Sequence, residues 1–76
     1  MKFSEQFTSR EIEAIEKFAE GFSSAEAADL LGISAGTVRA HRKNILQKSG
    51  CKNITEVVAR YVKDTHGTNL NGHLSN

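Results

Sequence analysis

Apolar residues recur at helical spacing in four separate runs of this chain, and polar residues that suit helix starts stand before them. The first run is Ile12, Ile15, Phe18 and Ala19, with acids on the opposite face. Thr8-Ser9-Arg10-Glu11 precedes it with the spacing of a capping box: Thr8 accepts from the first amides and Glu11 reaches back. Phe7 before the cap and Ile12 after it stand where a hydrophobic staple packs. A helix is predicted from this cap to about Glu20, and Gly21 is placed to end it in a left-handed conformation. The second run, Ala27, Ala28, Leu30 and Leu31, opens at the box Ser23-Ser24-Ala25-Glu26 and ends at Gly32. Ser34 caps a third helix that Gly50 stops. Asn53-Ile54-Thr55-Glu56 is the box in its Asn form, opening a fourth helix to about Asp64 with the stripe Ile54, Val57, Val58 and Tyr61. No stretch alternates as a strand does.

The second and third helices are separated by about three residues, one of them Gly32. Two helices joined by so short a glycine-containing turn form a helix-turn-helix. The predicted fold is therefore all-α, a tetrahelical four-helix domain built on that motif. It occupies residues 7–64, after a lead of residues 1–6. Residues 65–76, THGTNLNGHLSN, are polar and rich in Gly and Asn, and are expected to be a disordered tail.

The third helix has two opposed faces, since each residue advances about 100°. Val38, Ile45 and Ser49 fall on one, flanked by His41 and Arg42. Gly36, Arg39, Ala40, Lys43 and Gln47 fall on the other. Small residues with two long cations at i, i+4 suit a helix that enters a DNA major groove, where side chains must reach base edges or phosphates. A solvated basic face is the competing explanation of the same pattern. Gly36, near the start of this helix, costs about 1 kcal/mol against alanine.

Charge distribution favours the first explanation. The net charge is only +1. Residues 1–29 nevertheless hold seven acids and three bases, while residues 30–55 hold five bases (Arg39, Arg42, Lys43, Lys48, Lys52) and no acid. A polyanion would meet the cationic patch and be repelled by the first helix. The chain's 76 residues amount to one domain with a marginal core. The one cysteine, Cys51, excludes an intrachain disulfide, makes no metal cluster with His41, His66 and His73, and reads as a buried apolar residue. His41 faces inward with no acid, nucleophile or metal partner, so catalysis is not expected. No apolar run reaches transmembrane length and no signal-peptide pattern follows Met1, which points to a cytoplasmic protein.

The segment FTSREIEAIEKFAEGFSSAEAADLLGISAGTVRAHRKNILQKSGCKNITEVV resembles the LuxR-type (GerE-like) helix-turn-helix domain of bacterial transcription regulators, a likeness that covers about Phe7 to Val62. It rests on Thr8, Arg10, Glu11 and Gly21, then on Glu26, Ala28, Leu31, Gly32, Ile33, Ser34, Thr37, Val38 and His41. Ile45, Lys48, Gly50, Asn53, Thr55 and Glu56 complete the match. Three positions depart from the family pattern: Phe7 and Ser49 for the usual leucine, and Ala27 for isoleucine. Region 4 of sigma factors shares a related motif, but His41 and the continuation KSGCKNITE favour the LuxR type.

The resemblance implies that the third helix lies in the major groove and that Arg39, Ala40 and Lys43 read bases, the set the helical wheel selects independently. It implies backbone contacts from Ser34, Thr37, Lys48 and Lys52, with Ser23, Ser24 and Arg42 as further candidates. Ser23 and Ser34 are equally explained as caps, Arg42 as a stem on the core paired with an acid of the first helix, and Lys52 as a solvated charge. It also implies dimerisation through Val57, Val58, Tyr61 and Val62, although all four would serve a core against the first and third helices.

Two functional readings follow. One is a sequence-specific regulator of transcription without catalysis or cofactor, its partners double-stranded DNA and a second copy. The other is a non-catalytic interaction module that pairs with a full-length regulator or RNA polymerase. With no phosphoacceptor or ligand-sensing segment in the sequence, the chain reads as an excised effector domain or a stand-alone regulator.

Overall fold

The computed structural model describes the backbone of residues 2–74 and the side chains of residues 2–65. A 3-10 turn at Phe3–Gln6 leads into α1 (Ser9–Ala19), α2 (Ser24–Leu31), α3 (Ala35–Ser49) and α4 (Ile54–Leu74). The described residues include no strand. The fold is all-helical, with four helices as the polar and apolar pattern predicts.

Local chemistry sets the helix ends. The Glu11 amide donates to Thr8 Oγ1 at 3.1 Å while the Thr8 amide donates to Glu11 Oε1 at 2.9 Å. Ser23 and Glu26 repeat the box at 3.2 and 2.8 Å. Gly21, at φ 96°, turns the chain so that the Phe22 amide reaches back to the Lys17 carbonyl at 3.1 Å. That closure needs a left-handed residue, which a side chain would strain. At α4 the arrangement differs by one residue from a closed box. Asn53 Oδ1 accepts from the Glu56 amide at 2.9 Å, but Glu56 Oε1 takes the amide of Lys52, also at 2.9 Å.

α4 runs past Asp64, where the sequence pattern ended it, and stays helical to Leu74. Thr65 sits within the helix, its hydroxyl donating to the Tyr61 carbonyl one turn back at 2.9 Å. The chain also holds no proline to interrupt the ladder. Of the expected tail, residues 65–74 are thus helical backbone, and Ser75 and Asn76 lie outside the described residues.

The core has two parts. Ala14, Ile15, Ile45, Cys51 and Val57 form the first, with Phe3, Phe7, Ile12, Phe18, Leu46, Ile54 and Tyr61 packed around them. Ala27, Ala28 and Val38 form the second, with Phe18, Ile33 and Ala35. Phe18 belongs to both and joins them. Phe7 meets Phe3 edge-on, ring centres 5.3 Å apart, and Phe7 and Ile12 both pack on the first cluster. Ala27 is fully buried, so the small residue at this departure from the family pattern lies where α2 and α3 meet. Ser49 is explained by the turn: its hydroxyl donates to the Leu46 carbonyl at 3.3 Å and accepts from the Cys51 amide at 3.1 Å. Ser4 and Asp64 tie the two ends of the domain, amide to carboxylate, at 3.3 Å. No described helix is long and apolar enough to cross a membrane.

Candidate nucleic-acid interface

Val38 and Ile45 are fully buried and fix which side of α3 faces out. Gly36, Thr37, Arg39, Ala40, Lys43, Asn44 and Gln47 are all exposed. Arg39, Arg42, Lys43, Leu46 and Gln47 line a shallow depression of about 440 Å³ along the helix. Three cations therefore border one open surface whose floor includes Leu46. Asn44, which the sequence reading passed over, is exposed one position from Lys43 and carries a donor and an acceptor.

The start of α3 is open as well. Ser34 accepts from the Thr37 amide at 3.0 Å, and the two hydroxyls lie 2.8 Å apart. A Cβ added at Gly36 would meet only Ser34 Oγ, at 3.8 Å, an ordinary contact. The domain's own packing thus gives no reason for glycine there.

Other sequence candidates fall elsewhere. The Arg42 guanidinium lies over the Phe18 ring, 6.0 Å from its centre, rather than on an acid of α1. Lys52 is exposed beyond the end of α3. Ser24 Oγ is buried without a hydrogen-bond partner, because Ser23 and not Ser24 takes the capping position. In this conformation the Ser24 hydroxyl does not reach a surface. Val57, one of the four residues expected to pair two copies, is fully buried in the first core cluster. Tyr61 turns to α1 and donates to Glu16 Oε2 at 2.9 Å. Val62 and Tyr61 border a groove between α1 and α4, about 540 Å³, with Glu16, Ala19, Glu20 and Thr65. Val58 and Val62 are half-buried and belong to neither core cluster.

Lys48 is engaged inside the domain. Its ammonium donates to Glu11 Oε1 at 2.7 Å, and Glu11 is 3% exposed. Burial pushes the Glu11 carboxyl up. The hydrogen bonds from Lys48 and the Thr8 amide, with the charges of Lys48 and His41, outweigh it and leave the carboxyl below its ordinary value. Sequence spacing names Glu11 as a capping residue but carries no signal for a partner 37 residues away.

A helix-turn-helix with a basic, outward-facing second helix defines the class to which this domain belongs. The sequence profile described as "Bacterial regulatory proteins, luxR family" matches residues 5–61. The chain belongs to that family. It is similar to the transcriptional regulatory protein UhpA of Salmonella typhimurium, 43% identical over 53 residues that make up 70% of this chain and 27% of that protein. The transcriptional regulatory protein TdiR of Thauera aromatica is 47% identical over 49 residues, 64% of this chain and 22% of its own length. The regulatory protein SdiA of Escherichia coli is 45% identical over 51 residues, covering 67% and 21%. The chain thus spans less than a third of each of these relatives. No solved structure matches it.

The Glu11 pair makes stability depend on pH with a definite sign. A carboxyl whose folded value lies below its unfolded value stabilises fully above the unfolded value, about 4.3, and loses that contribution as pH falls through the folded one. The melting temperature of the parent is expected to drop below about pH 4.3 more steeply than that of Glu11→Gln, measured by circular dichroism. Parallel curves for the two proteins would remove the pair as the cause.

Proposed function

We propose that this domain binds double-stranded DNA sequence-specifically and serves a transcription regulator, with α3 in the major groove. The observation that carries the reading is the open face of α3, where Arg39, Lys43 and Arg42 stand together in a segment without acids. Membership of the luxR family and the likeness to transcriptional regulatory proteins support it. Arg39 pairs with guanine through two hydrogen bonds, Ala40 touches a thymine methyl, and Lys43 donates to guanine or phosphate. Asn44 joins them as a reader of adenine. Ser34, Thr37, Arg42 and Lys52 hold the backbone, helped by the N-terminus of α3. No step needs a cofactor, and the work is binding rather than catalysis. Two domains pair on DNA through Val58 and Val62 of α4, which lie one helical turn apart.

Arg39→Ala is expected to weaken binding to the preferred duplex by about 1–3 kcal/mol and relax the preference at one base pair of each half-site. A competition assay in which the variant kept the parent's full preference would remove Arg39 from the readers.

Gly36→Ala separates folding from binding. Alanine in this helical position is expected to stabilise the domain by about 1 kcal/mol in urea unfolding, since the added Cβ fits. The same methyl holds the helix off the DNA, so affinity falls. A variant that is both more stable and binds as tightly would show that no close approach occurs at Gly36.

Val62→Glu is expected to keep binding to a single half-site and lose cooperativity on paired half-sites spaced about one helical turn apart. Cooperativity equal to the parent's, measured by gel shift, would show that α4 does not pair the domains.

A further inference from the structure

The direction in which α3 presents its face is set at three levels along the helix. Val38 packs on Ala27 and Ala28 near its start. Ile45 packs among Ala14, Ile15, Cys51 and Val57. In the last turn the long-range polar tie is Lys48 on Glu11, at 2.7 Å. The first two contacts are apolar and choose which side of the helix faces in, by area removed from water rather than by direction. The third is a charge-assisted hydrogen bond to a single oxygen, and it is directional. The same Oε1 also receives the Thr8 amide at 2.9 Å. The start of α1 and the end of α3 are therefore bound to one buried atom.

We propose that Lys48, acting through Glu11, is a positioning residue that sets the angle of α3 for base reading, and that it makes no phosphate contact. This rests on the reading of α3 as the groove helix. Lys48 keeps 37% of its side-chain surface exposed, but a phosphate that drew its ammonium away would leave the Glu11 carboxylate with 4% exposure and without the cation hydrogen-bonded to it. An uncompensated buried charge opposes that exchange. The adjoining cations Arg39 and Lys43 carry no such tie and remain available to DNA: among the described residues neither forms an ion pair.

The test uses the 76-residue chain and a duplex that the parent enriches from a random-sequence library, with a random duplex as comparison. Lys48→Met, Glu11→Gln and the double variant are titrated below their melting temperatures, with correction for the binding-competent fraction. Glu11→Gln keeps an oxygen for the Thr8 amide, so the cap of α1 survives. Each single variant is expected to lose about tenfold on the enriched duplex, with little change on the random one and an unchanged salt slope. The double variant is expected to lose no more than either single one, as two ends of one interaction do. Lys48→Arg, which preserves the pair, is expected to restore most of the loss.

A fall on both duplexes alike, with the salt slope of Lys48→Met reduced by about one unit, would make Lys48 a phosphate contact and overturn the proposal. Additive losses in the double variant would do the same. Parent-like affinity in all variants, with only the melting temperature lowered, would reduce the pair to a structural one and overturn it too. If the library returned no enriched duplex, the groove reading itself would fall, and the positioning role with it.

Discussion

The burial of two residues, Val38 and Ile45, decides what the rest of α3 can be. A 15-residue helix with only two fully buried positions leaves most of its circumference to solvent. Those two are seven apart, so they lie on nearly the same side of the helix. Their burial against α1, α2 and α4 turns Arg39, Ala40 and Lys43 outward as a consequence. The basic surface is the remainder left when the hydrophobic effect has chosen the other side.

Charge is divided accordingly. Acids gather on α1, where Glu13 and Glu20 meet Arg10 and Lys17 locally and Glu16 meets Tyr61. The bases of α3 mostly lack such partners. Exposed pairs such as those on α1 contribute little to stability. Their value lies in leaving the fields of α1 and α3 unlike, so that one side of the molecule repels a polyanion and the other attracts it.

The parts of this structure that sequence made legible are those whose causes are local. The boxes at Thr8 and Ser23 close within three residues, so spacing alone names them. The face of α3 follows from its period. What sequence hid needed distance or a choice among equals. Lys48 looks like any solvated cation until the fold brings it to Glu11. Val57 and Val62 both stand among the apolar residues of α4 expected to pair two copies, and only packing assigns the first to the core and leaves the second half-exposed. Thr65 was read through its Gly/Asn-rich neighbours, whereas its hydroxyl bonds back along the helix. At Asn53 the box is spelled correctly, and the geometry still shifts Glu56 onto the preceding amide.

The tie between Ser4 and Asp64 has a consequence in time. On the ribosome α1 is complete long before α4, yet the core that encloses Ile15 includes Val57, and the first turn is fastened to Asp64. Helices capped by their own residues can form as they emerge, but the cavity between them stays open until the fourth arrives. For that interval Ile15 and Ala14 lack Val57 against them, and the nascent chain carries an apolar cleft that its fourth helix closes.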